Sequence, residues 1–321
     1  MTENQINRNL SWDGVCIIGL GDHAMNKLVP GLESAGLQII GVVSRNPALA
    51  ILDVQIFLTV ADAISSLPET TLFVIATPPN VHYAQVKAVI EAGRDVFVEK
   101  PAFLSLKESV ELSRLAGERS VVLVEMLMYL ENNSVQQILS ELKCASGSVT
   151  NIECQFLIPS VPLRTFRTEA SLGNSLLSDI ACYPLSLLAI AGYDLSNLVL
   201  VADNLRVKQN PIFCIKGKSQ KTNIHIRVGC DGQYRNNVRL VFDDDREISC
   251  EPFFYGRKGH RKLIRATNAG MITEQILEAN GYERMFLRKR QEWLAIQETR
   301  WDALGLVSDS LDRLGRQAGM L

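Results

Sequence analysis

Nothing in the 321 residues approaches the run of about twenty apolar side chains that a membrane-crossing helix requires. The segment Met1 to Asp13 is polar and lacks the apolar core of a secretory signal, so a cytoplasmic protein is expected. Net charge is nearly absent as well. Lys and Arg number 33 against 35 Asp and Glu, a formal charge of -2, which gives no reason to expect nucleic acid or an anionic membrane as partner. The seven cysteines show no CxxC pair and no Cys/His cluster, which argues against a zinc site. Buried reduced thiols are the expectation. Repeats and low-complexity linkers are missing too. What is present is the composition of an ordinary globular protein, 47% hydrophobic and 21% charged, long enough for two domains.

From Val15 to about Val124, short apolar runs alternate with helix-length amphipathic stretches. The expected strands are Val15-Ile18, Ile39-Val43, Leu72-Ile75, Asp95-Val98 and Val121-Val124, with helices around Met25-Ser34, Val81-Ala92 and Leu106-Ala116. Near-continuous Val/Ile/Leu strands in a βαβα rhythm predict a doubly wound parallel sheet covered on both faces, a Rossmann-type α/β domain over residues 1–127. Gly93 is placed to end the second helix. Beyond Tyr129 the rhythm changes. Strand-like stretches at Ser148-Leu157, Asn197-Lys208, Thr222-Val228 and Asn237-Phe242 are broken mainly by a helix at Leu176-Ala191. Residues 128–321 therefore read as an α+β domain with an open, mostly antiparallel sheet. The last forty residues read as helix with mostly solvated charges.

The segment Val15-Cys16-Ile17-Ile18-Gly19-Leu20-Gly21-Asp22-His23-Ala24 runs from strand to turn to helix. Gly19 permits the tight turn, Gly21 lets the backbone approach a pyrophosphate, and small Ala24 serves helix-strand packing. Asp22 and His23 lie in the same turn, where the helix start offers N–H groups to phosphate. At the end of the second strand, where an Asp or Glu would bind an NAD ribose, stand Ser44 and Arg45. A hydroxyl and a guanidinium suit a 2′-phosphate, which favours NADP over NAD, although a solvated loop arginine reads the same way.

Thr77-Pro78-Pro79-Asn80-Val81-His82 lies at the carboxyl end of another strand, where open α/β sheets bind ligands. The prolines fix this loop. Asn80 or His82 faces a nicotinamide edge, or His82 caps a helix or simply packs. Glu99-Lys100-Pro101 follows the next strand. A lysine at a strand's end is usually a surface residue, but here the strand directs Lys100 toward the cleft, where a cationic nicotinamide would lower its pKa and fit it for proton transfer. Glu99 orients that lysine or holds the cofactor ribose.

In the second domain, Asp179 and Tyr183 stand four residues apart on one helical face. A carboxylate and a phenol so placed can bind and protonate a sugar hydroxyl or ketone. They equally fit a carboxylate favoured by the helix dipole and a core tyrosine.

Together, Gly19-Leu20-Gly21, Ala76 to His82, Glu99-Lys100-Pro101, Glu125-Met126-Leu127-Met128-Tyr129 and Leu177 to Tyr183 resemble the glucose-fructose oxidoreductase/inositol dehydrogenase (Gfo/Idh/MocA) family. The resemblance runs from about residue 14 to about 190. It implies a Rossmann domain, a second domain whose open sheet forms homodimer or homotetramer contacts, and NAD(P) chemistry on sugars or cyclitols. Lys100 matches the family's catalytic-motif lysine. Tyr183 falls where many members carry a catalytic histidine, as in the tyrosine-bearing subgroup that includes nucleotide-sugar ketoreductases. The chain also departs from the family. Leu130-Glu131-Asn132-Asn133 replaces a frequent Arg-Phe-His-Pro, Gly173-Asn174-Ser175 replaces a glycine trio, and Ala181 replaces a common glycine.

The expectation is an NADP-dependent oxidoreductase moving a hydride between nicotinamide and a carbohydrate-like alcohol or ketone. In it Tyr183 is the immediate acid/base, Lys100 tunes or relays the proton, and Asp179 orients the substrate. The basic stretch Gly256 to Arg261 after Phe253-Phe254-Tyr255 contacts a nucleotide-sugar phosphate or is a solvated loop. The rival expectation is a redox-inactive cofactor-binding sensor or assembly subunit on the same fold.

Overall fold

The computed structural model describes residues 12–45, 54–144, 148–160, 176–201, 211–254, 261–268 and 270–319. In chain order the first elements are β1 (Gly14–Ile18), α1 (Val29–Ser34), β2 (Ile39–Val43), β3 (Gln55–Phe57), α2 (Val60–Ser66), β4 (Thr71–Ile75), α3 (His82–Glu91), β5 (Val96–Val98), α4 (Leu106–Arg119) and β6 (Leu123–Glu125). Then come α5 (Asn133–Cys144), β7 (Val149–Ile158), α6 (Leu176–Ile190), β8 (Val199–Val201), β9 (Ile212–Ser219), β10 (Thr222–Cys230), β11 (Arg235–Phe242), β12 (Glu247–Glu251), β13 (Arg261–Asn268), β14 (Met271–Glu278), α7 (Gly281–Leu287) and α8 (Arg290–Gln317). None of the described helices is long and apolar enough to cross a membrane.

The first unit is built on an all-parallel sheet in the order β3-β2-β1-β4-β5-β6. Every residue of β1, β4 and β5 is buried, as helices on both faces of a parallel sheet require. The strand order reverses between β1 and β4, so the turns leaving these two strands open a crevice at their carboxyl ends. Helix α4 begins at Ser105, whose side chain accepts from the Glu108 N–H, while the Glu108 carboxylate accepts from the Leu104 N–H. Gly93, at φ +70°, ends α3 as expected.

Two local features differ from the sequence expectation. The helix expected over Met25-Ser34 opens with a wide turn at Ala24–Leu28, in which the Val29 N–H reaches the Ala24 carbonyl. Pro30 has no N–H to give Asn26, so the ordinary ladder cannot run through this point. Strand β3 and helix α2 were not anticipated. They are only three and seven residues long, too short for a periodic signal to emerge.

The chain also divides differently from 1–127 and 128–321. The first unit comprises residues up to 127 together with 282–305, and the second comprises 128–281 and 306 onward. The return segment is held to the first sheet by a buried ion pair. Arg290 Nε lies 2.6 Å from Asp95 Oδ2, with side chains 12% and 9% exposed. Asp95 also accepts from Trp12 Nε1 at 2.8 Å and from the Val122 N–H at 2.8 Å. Phe97 of β5 stacks on Phe286 and meets Trp293 edge-on. The charges of the last forty residues are thus not all solvated, because Arg290 is spent on the core.

The second unit carries an eight-stranded sheet ordered β14-β13-β12-β11-β7-β10-β9-β8, antiparallel except between β7 and β10. Strand β10 buries Thr222, Ile224, Ile226 and Val228 while Asn223 and His225 face solvent, the alternation of a sheet covered on one side. Helix α6, nearly all of it buried, packs on β7 and β10. Lys262 is fully buried and donates to the carbonyls of Pro252 and Phe253, and burial pushes its ammonium pKa down to about 8. All seven cysteines are free thiols; six are buried and Cys144 is exposed.

Removing Arg290 would leave the Asp95 carboxylate buried without its cation. Arg290→Ala is therefore expected to cost about 3 kcal/mol in chemical denaturation followed by the fluorescence of Trp12 and Trp293. A loss under about 0.5 kcal/mol would show that the return segment is held by its aromatic packing alone.

Candidate functional site

In the first unit, the sequence-selected residues gather at the carboxyl edge of the parallel sheet. Gly19 follows β1 at φ +90°, and a Cβ there would lie 2.7 Å from Thr77 Cγ2 and 3.0 Å from the Thr77 nitrogen. Only glycine satisfies both conditions. Gly21 is different. A Cβ built on it meets no atom within 4 Å, so the backbone here borders open space. Ala24 is buried, as its packing role requires, while Asp22 and His23 are exposed. At the end of β2, Ser44 is half-buried with its N–H on the Phe57 carbonyl, and Arg45 is exposed.

After β4, the Thr77 hydroxyl donates to Gln85 Oε1 at 2.6 Å, while Pro78 and Asn80 are exposed. His82 is not available to a ligand, which corrects its placement among cofactor-facing residues. It is fully buried, with Nε2 2.8 Å from the Thr77 carbonyl and Nδ1 3.2 Å from the carbonyls of both Pro101 and Ala102. Burial lowers its pKa, against the pull of those carbonyls. His82 is thus a clamp between the loop after β4 and the loop carrying Lys100, the packed alternative that the sequence left open.

Lys100 is half-buried beside two carboxyls in opposite states. Glu99 is buried, yet its pKa is lowered. Burial opposes its ionisation, but the charge and hydrogen bond of His23, with Lys100 behind them, outweigh burial. His23 Nε2 lies 2.7 Å from Glu99 Oε1, and this pairing raises the histidine's pKa. The Tyr282 hydroxyl stands 3.2 Å from the same nitrogen. Glu125, at the end of β6, has no such cation. Its Oε1 accepts the Ala102 N–H at 3.0 Å, and burial, helped by Glu99, pushes its pKa up to about 7 despite Lys100 and Arg300. Neither Tyr282 nor the state of Glu125 is visible in the sequence, since both depend on distant segments arriving at one edge.

In the second unit, Asp179 and Tyr183 are both buried on α6. The Tyr183 ring lies 5.1 Å from Phe156, 5.4 Å from Tyr129 and 6.1 Å from Phe254. The Tyr129 hydroxyl donates to the Tyr183 carbonyl at 2.9 Å and lies 2.8 Å from Ser186 Oγ, which fixes this turn of the helix. Asn132, part of the departure after Tyr129, is structural: its Oδ1 accepts the Asn280 N–H at 2.9 Å. The adjacent Gly281 allows this approach, because a Cβ there would sit 2.2 Å from the Met128 carbonyl. Gly173-Asn174-Ser175 and the basic stretch Gly256 to His260 lie outside the described residues, as does the side chain of Arg261.

The residues present fit a dinucleotide: a glycine turn open at Gly21, a half-buried hydroxyl and an exposed guanidinium after β2, and a lysine after β5. Comparison with known proteins agrees. Residues 14–126 match the GFO_IDH_MocA model, described as an oxidoreductase family with an NAD-binding Rossmann fold. The chain is 28% identical over 259 residues to a dTDP-3,4-didehydro-2,6-dideoxy-alpha-D-glucose 3-reductase of Streptomyces antibioticus, covering 78% of this chain and 75% of that one. The corresponding reductase of Actinomadura kijaniata is 25% identical over 250 residues, 74% of each chain. Among solved structures, KijD10, a 3-ketoreductase from Actinomadura kijaniata in complex with NADP and TDP-benzene, superposes with a TM-score of 0.77 at 19% identity. That match covers 94% of this chain and 96% of KijD10. An aldose-aldose oxidoreductase from Caulobacter crescentus gives 0.79 at 14% identity, over 95% and 97% of the two chains.

The two glycines make a paired test. Gly21→Ala is expected to leave the melting temperature within about 1 °C while weakening dinucleotide binding at least about tenfold, read by calorimetry. Gly19→Ala is expected to destabilise the free protein, because its Cβ collides with Thr77. Equal binding by Gly21→Ala and the unaltered protein would remove the phosphate role from this turn.

Glu125 gives a pH signature. The fold raises its pKa above the unfolded value, so its contribution to stability is complete below about pH 4.5 and is lost as pH rises through about 7. Glu125→Gln is expected to gain roughly 3 °C on the unaltered protein between pH 5 and pH 8 in thermal melts. Parallel melting curves across that range would refute the proton on Glu125.

Proposed function

We propose that this protein is an NADP(H)-preferring oxidoreductase that reduces a ketone, or oxidises the matching alcohol, on a sugar derivative, with nucleotide-linked sugars the foremost class. The observation that carries the reading is the glycine turn at the sheet's switch point, open at Gly21, with Lys100 at the carboxyl end of β5, two strands away on the same edge. The names of the similar reductases support the substrate class. NADP preference is supported by Ser44 and Arg45 standing where an acidic residue would repel a 2′-phosphate, and by the NADP in the KijD10 complex.

Bound nicotinamide supplies or accepts the hydride. The rest of the chemistry belongs to the chain. Gly19, Gly21, Asp22, His23 and Ala24 receive the pyrophosphate, Ser44 and Arg45 the adenosine end, and Thr77, Pro78 and Asn80 the nicotinamide side. Lys100 holds a proton at its Nζ for the substrate oxygen, Tyr183 is the acid/base hydroxyl, and Asp179 orients the sugar. Glu99 keeps its charge beside Lys100. Free thiols support a cytoplasmic setting. The exposed Met271, Ile272 and Ile276 of β14 support homo-oligomer contacts through the second sheet.

A panel of nucleotide-linked keto-sugars followed at 340 nm tests the reading. Turnover with NADPH is expected, with Lys100→Met and Tyr183→Phe each lowering kcat by about 10²-fold or more. Arg45→Ala is expected to raise the KM for NADPH while leaving that for NADH nearly unchanged. Dinucleotide binding with no absorbance change across the panel would favour the redox-inactive alternative.

A further inference from the structure

His23 sits in the phosphate turn two residues beyond Gly21, and it is not an idle loop residue. Its Nε2 is engaged by Glu99 Oε1 at 2.7 Å and by the Tyr282 hydroxyl at 3.2 Å, and that hydroxyl lies 3.5 Å from Glu99 Oε1. The three side chains come from three separate places: the turn after β1, the end of β5 and the start of the C-terminal return in α7. The rings of His23 and Tyr282 also meet edge to face, 6.3 Å between centroids. No described residue bonds His23 Nδ1, and the imidazole side chain is 47% exposed. A protonated ring therefore keeps one N–H for solvent or a ligand, two residues along the turn from Gly21, where the backbone borders open space.

We propose that His23, Glu99 and Tyr282 form a proton-controlled anion latch, in which protonated His23 donates through Nδ1 to a dinucleotide's pyrophosphate. Glu99 holds the proton on the ring, and Tyr282 fixes the ring's orientation. The inference rests on the dinucleotide reading above and adds what that reading lacks, a proton that sets the strength of cofactor binding and a contribution from the C-terminal return.

The titratable groups facing the ring are Glu99 and Lys100 after β5, Lys27 in the wide turn, and Tyr282 of α7. Glu99 favours the imidazolium while the two lysines and burial oppose it, and the balance lies above the ordinary histidine value. The sign follows. The charge on His23 persists to higher pH than on an ordinary histidine and disappears as pH rises through that elevated pKa, so phosphate affinity falls toward alkaline pH. Protonated His23 with Lys100 and Lys27 outweighs the single charge of Glu99, so the cluster favours an anion. A cofactor phosphate at Nδ1 raises the histidine's proton affinity further, and binding above neutral pH takes up a proton.

Calorimetric titration of the whole protein with NADP at pH 7 and pH 9 tests the latch. This window lies above the second ionisation of a phosphate ester, near about 6. The unaltered protein is expected to lose roughly tenfold in affinity across it and to take up protons on binding, measured in buffers of different ionisation enthalpy. His23→Gln is expected to bind weakly at both pH values with neither effect, and Tyr282→Phe to retain a smaller pH dependence. A histidine NMR titration of the free protein adds a readout independent of binding: the His23 pKa is expected to fall by one unit or more in Glu99→Gln. Identical pH dependence in the unaltered protein and His23→Gln, or an unmoved His23 titration in Glu99→Gln, would overturn the latch while leaving the dinucleotide reading intact. Absence of NADP binding by the unaltered protein at either pH would overturn both.

Discussion

The candidate site of the first unit depends on one close approach, the backbone of Gly19 against Thr77. Strands β1 and β4 are neighbours, and the chain after β4 enters the same space as the turn after β1, with the Ala76 N–H bonded to the Ile18 carbonyl. With a Cβ at Gly19 the two turns could not close to this distance. The contact then passes along the edge of the sheet. The Thr77 carbonyl receives His82, His82 reaches the carbonyls of Pro101 and Ala102, and the Ala102 N–H goes to Glu125. A relay of buried polar contacts thus runs from β1 to β6 across the strands that carry the glycine turn and the lysine. Neutral His82 carries a single N–H and so donates to one of the two loops at a time, while its ring packs between both and keeps them at this spacing.

The sequence discloses the parts of this arrangement that are local. The apolar runs of β1, β2, β4 and β5, the glycine turn, and the proline-bounded loops after β4 and β5 each signal themselves within a few residues. Their alternation limits the sheet to a few parallel arrangements without choosing among them. What stays hidden is long-range or short. Strand β3 offers three residues, and β7 pairs with β10 and β11 in an order that no local pattern states. His82 has the composition of a ligand-facing residue and becomes a core clamp only because Pro101 and Ala102 fold against it. Asn132 looks like a lost polar contact and proves to hold Asn280. Residues 282–305 carry a helical pattern without any mark of the sheet they cover. The marks are Asp95 and Phe97, nearly two hundred residues earlier.

The electrostatics of the lysine edge follow from the same geometry. Glu99 and Glu125 stand at the ends of adjacent strands, with Lys100 in reach of both. Burial alone would hold each in the neutral form, and two bare carboxylates so close would repel. The cluster resolves this unequally. Glu99 holds a hydrogen bond from His23, which lowers its pKa against burial; Glu125 accepts a peptide N–H, and Lys100 and Arg300 do not offset its burial, so it keeps its proton to about pH 7. The inequality has a chemical consequence, since Lys100 then sits between a fixed anion and a group that can take or yield a proton near neutrality. Had both carboxylates been paired with cations, the edge would hold charge without proton mobility. Had neither been paired, no anion would remain to counter the ammonium. Placing one histidine in the glycine turn is what separates the two states, so a residue of that turn also decides which carboxyl beside the lysine carries the proton.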